Sequence, residues 1–124
     1  MPSGKTHLIV ATAASLALTC ELGLPIEYTV AGMIGGIAPD SDHKSTTIGA
    51  VLPLWLFCRH RTFTHSILGM LIFCGCVLFM SKAISVALCF GVGYLSHLLL
   101  DSLTPMGVMW RWPNRKRYSI RRWK

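Results

Sequence analysis

Five apolar runs divide this chain, and they constrain its fold more than any other feature. They occupy residues 8–20, 28–39, 45–58, 67–80 and 83–100. Only 14% of the 124 residues are charged, whereas a water-soluble domain carries roughly 25%. Long apolar runs in a chain with so few charges are typical of a membrane protein.

Turn signals connect the runs in pairs. Gly23 and Pro25 follow the first run, and only Ser81 and Lys82 separate the fourth run from the fifth. We therefore predict an all-α membrane protein with about four transmembrane helices, arranged as two antiparallel hairpins. Most runs are shorter than the ~20 residues that cross a bilayer comfortably, so their flanks are expected to lengthen them. The run at 45–58 is predicted to be a re-entrant or interfacial segment.

The basic residues indicate how the chain is oriented. Seven of the twelve lie in the last fourteen positions. We predict a helical membrane domain at 1–104 that contains the functional site, and a basic, Trp-rich cytoplasmic tail at 105–124. By the positive-inside rule, the open ends of both hairpins and both termini face the cytoplasm of a bacterial inner membrane. The first run is interpreted as a retained helix, because its charged flank is minimal and no good signal-peptide cleavage site follows it.

The tail also predicts a partner. It mixes tryptophan and tyrosine with arginine and lysine, which suits the anionic head groups of membrane lipids. Single-stranded nucleic acid can be bound by the same chemistry, but a membrane-embedded chain favours the lipid surface.

The histidines and aspartates are segregated at one end of the hairpins. All five histidines and all three aspartates fall there or in the adjoining loops: His7, His43, His60, His65, His97, Asp40, Asp42 and Asp101. At ~1.5 Å per residue, counting from the turns places His65 level with His97 and His7 level with Asp40. His97 and Asp101 are four residues apart and share one helix face. Ionisable groups at membrane depth usually face a cavity, a partner or an ion.

This pattern predicts a metal site. The proposed ligands combine imidazole with carboxylate: His7, Asp40, His65, His97 and Asp101. Zn²⁺ is the first candidate for this divalent transition metal, with Mn²⁺ or Fe²⁺ as alternatives. A bound metal supplies hydroxide at neutral pH. Asp42, His43 or His60 is predicted to act as general base or to orient a ligand, and Arg61 to hold a substrate anion. Singly, each could be an interfacial, capping or turn residue.

Four separated blocks carry a resemblance to a known family. They read "GKTH", "GGIAPDSDH", "HRTFTHS" and "SHLLLDSLTPMGV". In this order they resemble the YdjM-like family of bacterial inner-membrane proteins, identified as metal-dependent hydrolases, whose namesake is regulated by the LexA repressor and so linked to the SOS response. The resemblance implies a small multi-helix membrane protein with a His/Asp metal site. It carries over His7, Asp40, Asp42, His43, His60, His65, His97 and Asp101.

The expected function follows from the site and the resemblance together. We expect a membrane-bound metal-dependent hydrolase with its His/Asp site at the cytoplasmic face. Its substrate would be an ester or phosphoester, with lipid esters among the candidates. The alternative is a non-catalytic metal-binding protein or a stress- or phage-associated membrane protein.

Overall fold

Four α-helices make up most of the described chain, and one of them lies at the centre. The structure, a computed structural model, describes residues 4–42, 56, 63–104, 107–114 and 116–119. The helices are α1 (Gly4–Leu22), α2 (Thr29–Ile37), α3 (Ile67–Ser81) and α4 (Ile84–Ser102), with 3₁₀ helices at Ile26–Tyr28, Ala38–Asp42 and Phe63–His65. Helix α4 packs against each of the other three helices. The fold is therefore all-α, as predicted.

Two turns reverse the chain where the sequence predicted them. Gly23 follows α1 with a φ of +62°, a left-handed conformation that glycine adopts at little steric cost. Lys82 follows α3 with a φ of 54°, and its N–H donates to the carbonyl oxygen of Leu78 at 2.8 Å. Helix α4 begins two residues later, at Ile84.

The start of α3 is determined by a capping serine. The Ser66 hydroxyl accepts from the Gly69 N–H at 3.1 Å and donates to the Phe63 carbonyl at 2.6 Å. A serine at this position satisfies an N–H group that has no partner within the helix. This cap holds His65, the preceding residue, at the mouth of the helix.

Glycines let α2 lie close to both of its neighbours. A Cβ at Gly32 would overlap the side chain of Ser15 in α1, and a Cβ at Gly35 would overlap the Phe90 carbonyl oxygen in α4. A Cβ at Gly93 of α4 would overlap the carbonyl of Gly32. Small residues permit this close approach of backbones in membrane helix packing. The C-terminal end of α2 is thereby held against α4.

Only one helix of the described residues, α4, is long and apolar enough to cross a membrane by length and composition. Helix α3 is apolar but has 15 residues. Helix α2 has nine residues, and at ~1.5 Å per residue its length is less than half of a ~30 Å hydrocarbon core. The prediction of four helices is therefore confirmed, and one of them has the length and composition of a membrane span. That the other three helices also cross the membrane stays a prediction. Apart from Leu56, the predicted segment at 45–58 lies outside the described residues.

The described residues between 107 and 119 are joined to the ends of α3 and α4. Val108 and Tyr118 exchange two backbone hydrogen bonds, with N···O distances of 3.0 and 2.9 Å. The Ile67 N–H donates to the Trp110 carbonyl at 3.0 Å, and the Trp110 indole N–H donates to the Ser102 hydroxyl at 2.9 Å. The predicted domain boundary after residue 104 is not tested by these contacts and stays a prediction.

Candidate metal centre

Five ionisable side chains converge at one end of the helices. They come from α1, from the 3₁₀ helix after α2, from the 3₁₀ helix before α3, and twice from α4: His7, Asp40, His65, His97 and Asp101. The nitrogen and oxygen donor atoms form two groups of three, and within each group they lie within 4.8 Å of one another. One group is His7, His97 and Asp101, and the other is Asp40, His65 and His97. The structure thus brings together all five residues that the sequence nominated as ligands.

The spacing of four of these donor atoms resembles the first coordination sphere of one ion. The His65 and His97 Nε2 atoms are 3.2 Å apart, and Asp101 Oδ2 lies 3.1 and 3.4 Å from them. Asp40 Oδ1 lies 3.4 Å from His97 Nε2 and 3.9 Å from His65 Nε2. Tetrahedral Zn²⁺ with bonds of ~2.0–2.1 Å separates its ligand atoms by about 3.3 Å. The donor set therefore fits such an ion in both chemistry and spacing.

The orientation of His97 is determined by the backbone of α2. Its Nδ1 lies 2.7 Å from the Gly36 carbonyl oxygen, which can only accept, so Nδ1 carries the hydrogen. A neutral His97 then has an unprotonated Nε2, which faces two carboxylates and the His65 ring. Acceptor atoms that face one another need a proton or a cation between them. A carbonyl that fixes the outer ring nitrogen is the usual support of a metal-bound histidine.

His65 is supported by residues that sequence reasoning did not select. Its Nδ1 lies 3.2 Å from the Thr64 hydroxyl, and the Tyr94 hydroxyl donates to the Thr64 carbonyl. Thr64 and Tyr94 are both fully buried. Tyr94 stands three residues before His97 and so shares its helix face, which is the signal that could have identified it.

His7 contacts the opposite side of the Asp101 carboxylate. Its Nε2 lies 3.3 Å from Asp101 Oδ1, and its ring stacks on His97 with a centroid distance of 3.7 Å. Its other nitrogen, Nδ1, has no hydrogen-bond partner in the described part of the chain. His7 is therefore placed either to orient Asp101 or to add a further ligand.

The neighbouring histidines favour an ionised Asp40. The side chain of Asp40 is 16% exposed, whereas those of His65 and His97 are fully buried. Burial of Asp40 opposes its ionisation. The hydrogen bond with His97 and the charges of His97, His65 and His7 outweigh this effect and lower the pKa of the carboxyl below its ordinary value. Asp40 is thus available as an anionic ligand on the accessible side of the cluster.

The remaining predicted site residues are not placed by the structure. Asp42 ends the 3₁₀ helix Ala38–Asp42, and its side chain is outside the described set. His43, His60 and Arg61 lie outside the described residues. Their roles as general base, orienting group and anion-binding group stay predictions.

Comparison with known proteins gives one family throughout. The family model described as "YdjM inner membrane protein" matches residues 1–124. Protein YvsG of Bacillus subtilis (strain 168) is 34% identical over 126 residues, covering 95% of this chain and 78% of that protein. The inner membrane protein YbcI of Escherichia coli (strain K12) is 34% identical over 121 residues, covering 91% and 68%. The inner membrane protein YdjM of the same strain is 36% identical over 96 residues, covering 68% and 48%. No solved structure matches the chain. This chain belongs to the YdjM inner membrane protein family.

Proposed function

We propose that this chain is a membrane-bound, metal-dependent hydrolase that acts on an ester or phosphoester. One observation carries the proposal: three imidazoles and two carboxylates form two groups of three close donors that share His97, in a chain from a family of inner membrane proteins. Buried acceptor groups are costly unless a cation or proton lies between them. A cluster of this composition is therefore best explained as a metal centre.

Four residues would hold the ion, and a fifth, His7, would orient one of these ligands. Asp40, His65, His97 and Asp101 supply the oxygen and nitrogen donors, while His7 holds the second oxygen of Asp101. Zn²⁺ accepts these donors and their spacing, and Mn²⁺ and Fe²⁺ bind the same ligand types. The metal, when bound, would supply a hydroxide nucleophile at neutral pH.

The chain's own residues would bind the substrate and move the proton. Asp40 is the most exposed member of the cluster, so the substrate would approach from its side. Asp42 and His43 directly follow this ligand region, and either could accept the proton of the attacking water. His60 and Arg61 lie five and four residues before His65. There His60 would orient a ligand and Arg61 would bind the anionic group of the substrate.

The proposed topology is multi-pass, with both termini in the cytoplasm. Eleven of the twelve basic residues lie at the open ends of the two hairpins or in the C-terminal region, as the positive-inside rule requires of a cytoplasmic face. A reporter fused after Lys124 should map to the cytoplasm. A reporter that maps to the periplasm would overturn this orientation and move the site to the outer face.

Hydrolysis can be tested with the metal content held under control. Detergent-purified chain loaded with Zn²⁺, Mn²⁺ or Fe²⁺ should cleave a panel of phosphoester and carboxylic ester substrates. Asp101→Asn should abolish turnover, whereas Ser96→Ala should retain it, because the Ser96 hydroxyl bonds only the Gly93 carbonyl of its own helix among the described residues. Wild-type turnover by Asp101→Asn would refute the assignment of the site.

The burial of the cluster favours one second candidate, a non-catalytic metal-binding protein. His65 and His97 have no exposed surface, and structural metal sites are closed whereas catalytic sites keep an open position. Full metal occupancy together with no turnover across the substrate panel would favour this function. It is also the outcome expected if the chain serves a stress-associated role without chemistry.

A further inference from the structure

An apolar groove lies between α3 and α4, away from the metal centre's own side chains. Its volume is about 370 Å³. Apolar side chains of both helices line it, among them Met70, Leu71, Leu78, Leu88, Val92 and Leu95. No function described so far uses this space.

Two glycines create the groove. A Cβ at Gly75 of α3 would meet no heavy atom within 4 Å, and a Cβ at Gly91 of α4 would meet only the Cys74 sulfur at 3.2 Å. Both glycines line the groove. The groove therefore exists because these two positions are glycines, and larger residues there would fill it.

The groove extends from the hairpin turn toward the metal centre. Leu78 and Ile84 flank the turn at one end. At the other end, Met70 lies five residues after His65 and Leu95 lies two residues before His97. At ~1.5 Å per residue, Met70 to Leu78 spans about 12 Å, and the groove ends within about 8 Å of the site along the helices.

A segment that carries cationic side chains is joined to the end of α3 nearest the metal centre. The Ile67 N–H bonds the Trp110 carbonyl, which places the following residue, the exposed Arg111, beside the start of α3. Lys116 is exposed in the same C-terminal segment, 5.6 Å from the centre of the Tyr118 ring. Arginine and lysine in this segment suit a phosphate group.

We propose that the groove binds one acyl chain of an anionic glycerophospholipid, whose head group lies toward the metal centre. The volume lies at the lower end of the ~300–1,000 Å³ of small-molecule pockets. A helix of a second copy is ~10–12 Å wide with its side chains and does not fit a cleft of this size. A single unbranched hydrocarbon chain does, and the cations complement its anionic head group.

This inference rests on the proposed function, because it names the substrate class of that site. A chain seated in the groove presents its ester and phosphoester groups to the metal centre. Hydrolysis would then break an ester C–O or P–O bond. The water oxygen would join the acyl or phosphoryl group, and a proton would pass to the leaving oxygen.

Two cysteines provide an internal comparison for testing the groove. Cys74 lines it, whereas Cys76, two residues later on α3, is exposed and does not line it. The full chain would be placed in vesicles of phosphatidylethanolamine and phosphatidylglycerol, the latter bearing a photoreactive diazirine in one acyl chain. After irradiation, mass spectrometry should find more adduct at Cys74 than at Cys76. Equal labelling of the two cysteines would overturn the proposal.

Groove-filling variants supply the second comparison. Gly75→Trp should reduce Cys74 labelling to the level at Cys76, whereas Ile72→Trp, on the same helix outside the groove, should not. Leu88→Trp fills the groove from α4 and should repeat the loss if Gly75→Trp does not fold. Unchanged labelling in a folded groove variant, or crosslinks that join two chains through α3, would overturn lipid as the occupant. Equal labelling by a phosphatidylethanolamine probe would overturn the role of the anionic head group.

Failure of the groove and failure of the proposed function give different results. Labelling is measured without turnover, so preferential labelling of Cys74 in a chain that binds no metal and stays inactive after loading with Zn²⁺, Mn²⁺ or Fe²⁺ would support the groove and refute the hydrolase. Metal binding and hydrolysis with no preference for Cys74 would refute the groove alone.

Discussion

Replacing Thr64 with valine removes one hydroxyl and preserves a buried, β-branched side chain. The Thr64 hydroxyl lies 3.2 Å from His65 Nδ1, so the substitution leaves that ring nitrogen without this partner. The backbone carbonyl of residue 64 remains to accept the hydrogen bond from Tyr94. The fold around His65 should therefore persist while its support as a ligand is lost.

Two estimates of the effect agree. Removing the outer hydrogen bond of a metal-ligating histidine typically weakens metal binding ~10–100-fold, which equals about 1.4–2.8 kcal/mol. Losing one intramolecular hydrogen bond typically costs about 0.5–1.5 kcal/mol, and His65 has no exposed surface through which water could replace the hydroxyl. Because 3.2 Å is at the long end of the normal range, we expect a loss of about tenfold.

A chelator competition titration with Zn²⁺ measures this change on detergent-purified protein. Thr19→Val is the matched control. Thr19 is also buried, and its hydroxyl donates to the Leu16 carbonyl at 2.8 Å, near the opposite end of α1. The control should bind metal like the wild type. Unchanged affinity in Thr64→Val, or an equal loss in Thr19→Val, would refute the role of this hydrogen bond.

Four further predictions concern helix packing, pH and one hydrogen bond. Gly35→Ala should lower the free energy of unfolding by about 1–3 kcal/mol, because the new methyl overlaps a backbone carbonyl of α4; Gly75→Ala, which meets open space, should not, and equal thermal stabilities would contradict the α2–α4 packing. Acidification should weaken metal binding, because protons compete for the donor atoms. The folded-state pKa of Asp40 lies below 3.8, so its ionised form stabilises the fold above that pH and the contribution is lost as the pH falls through the folded-state pKa. In denaturant unfolding, Asp40→Asn should therefore have a lower free energy of unfolding than the wild type near neutral pH and the same value in acid. A difference that does not change with pH would contradict this role of Asp40. Trp110→Phe should cost about 1 kcal/mol in the same assay through the lost bond to Ser102, and no change would indicate that this contact contributes nothing.

The depth of the site residues could be predicted from the sequence because helical rise is constant. Counting from the Ser81-Lys82 turn placed His65 and His97 at one level, and their Nε2 atoms are 3.2 Å apart. The four-residue spacing of His97 and Asp101 similarly placed both on one face of α4.

Contacts between the hairpins could not be predicted in the same way. Residue counting gives depth but not the rotation of a helix about its axis, so the contact of His7 with Asp101 Oδ1 was not foreseen. That contact depends on how closely α2 and its neighbours approach at glycines such as Gly32 and Gly93. The composition of the C-terminal segment predicted only that it is basic and rich in tryptophan. The backbone pairing of Val108 with Tyr118 could not be predicted, because composition does not indicate which residues lie opposite each other.

Metal content tests the proposed site most directly. Inductively coupled plasma mass spectrometry on detergent-purified chain should find about one transition-metal ion per chain in the wild type and in Ser96→Ala. The double variant His97→Ala, Asp101→Asn should lose that ion while remaining helical by circular dichroism. A wild type without bound metal after loading, or a double variant that keeps the full complement, would contradict the assignment of this His/Asp cluster as a metal centre.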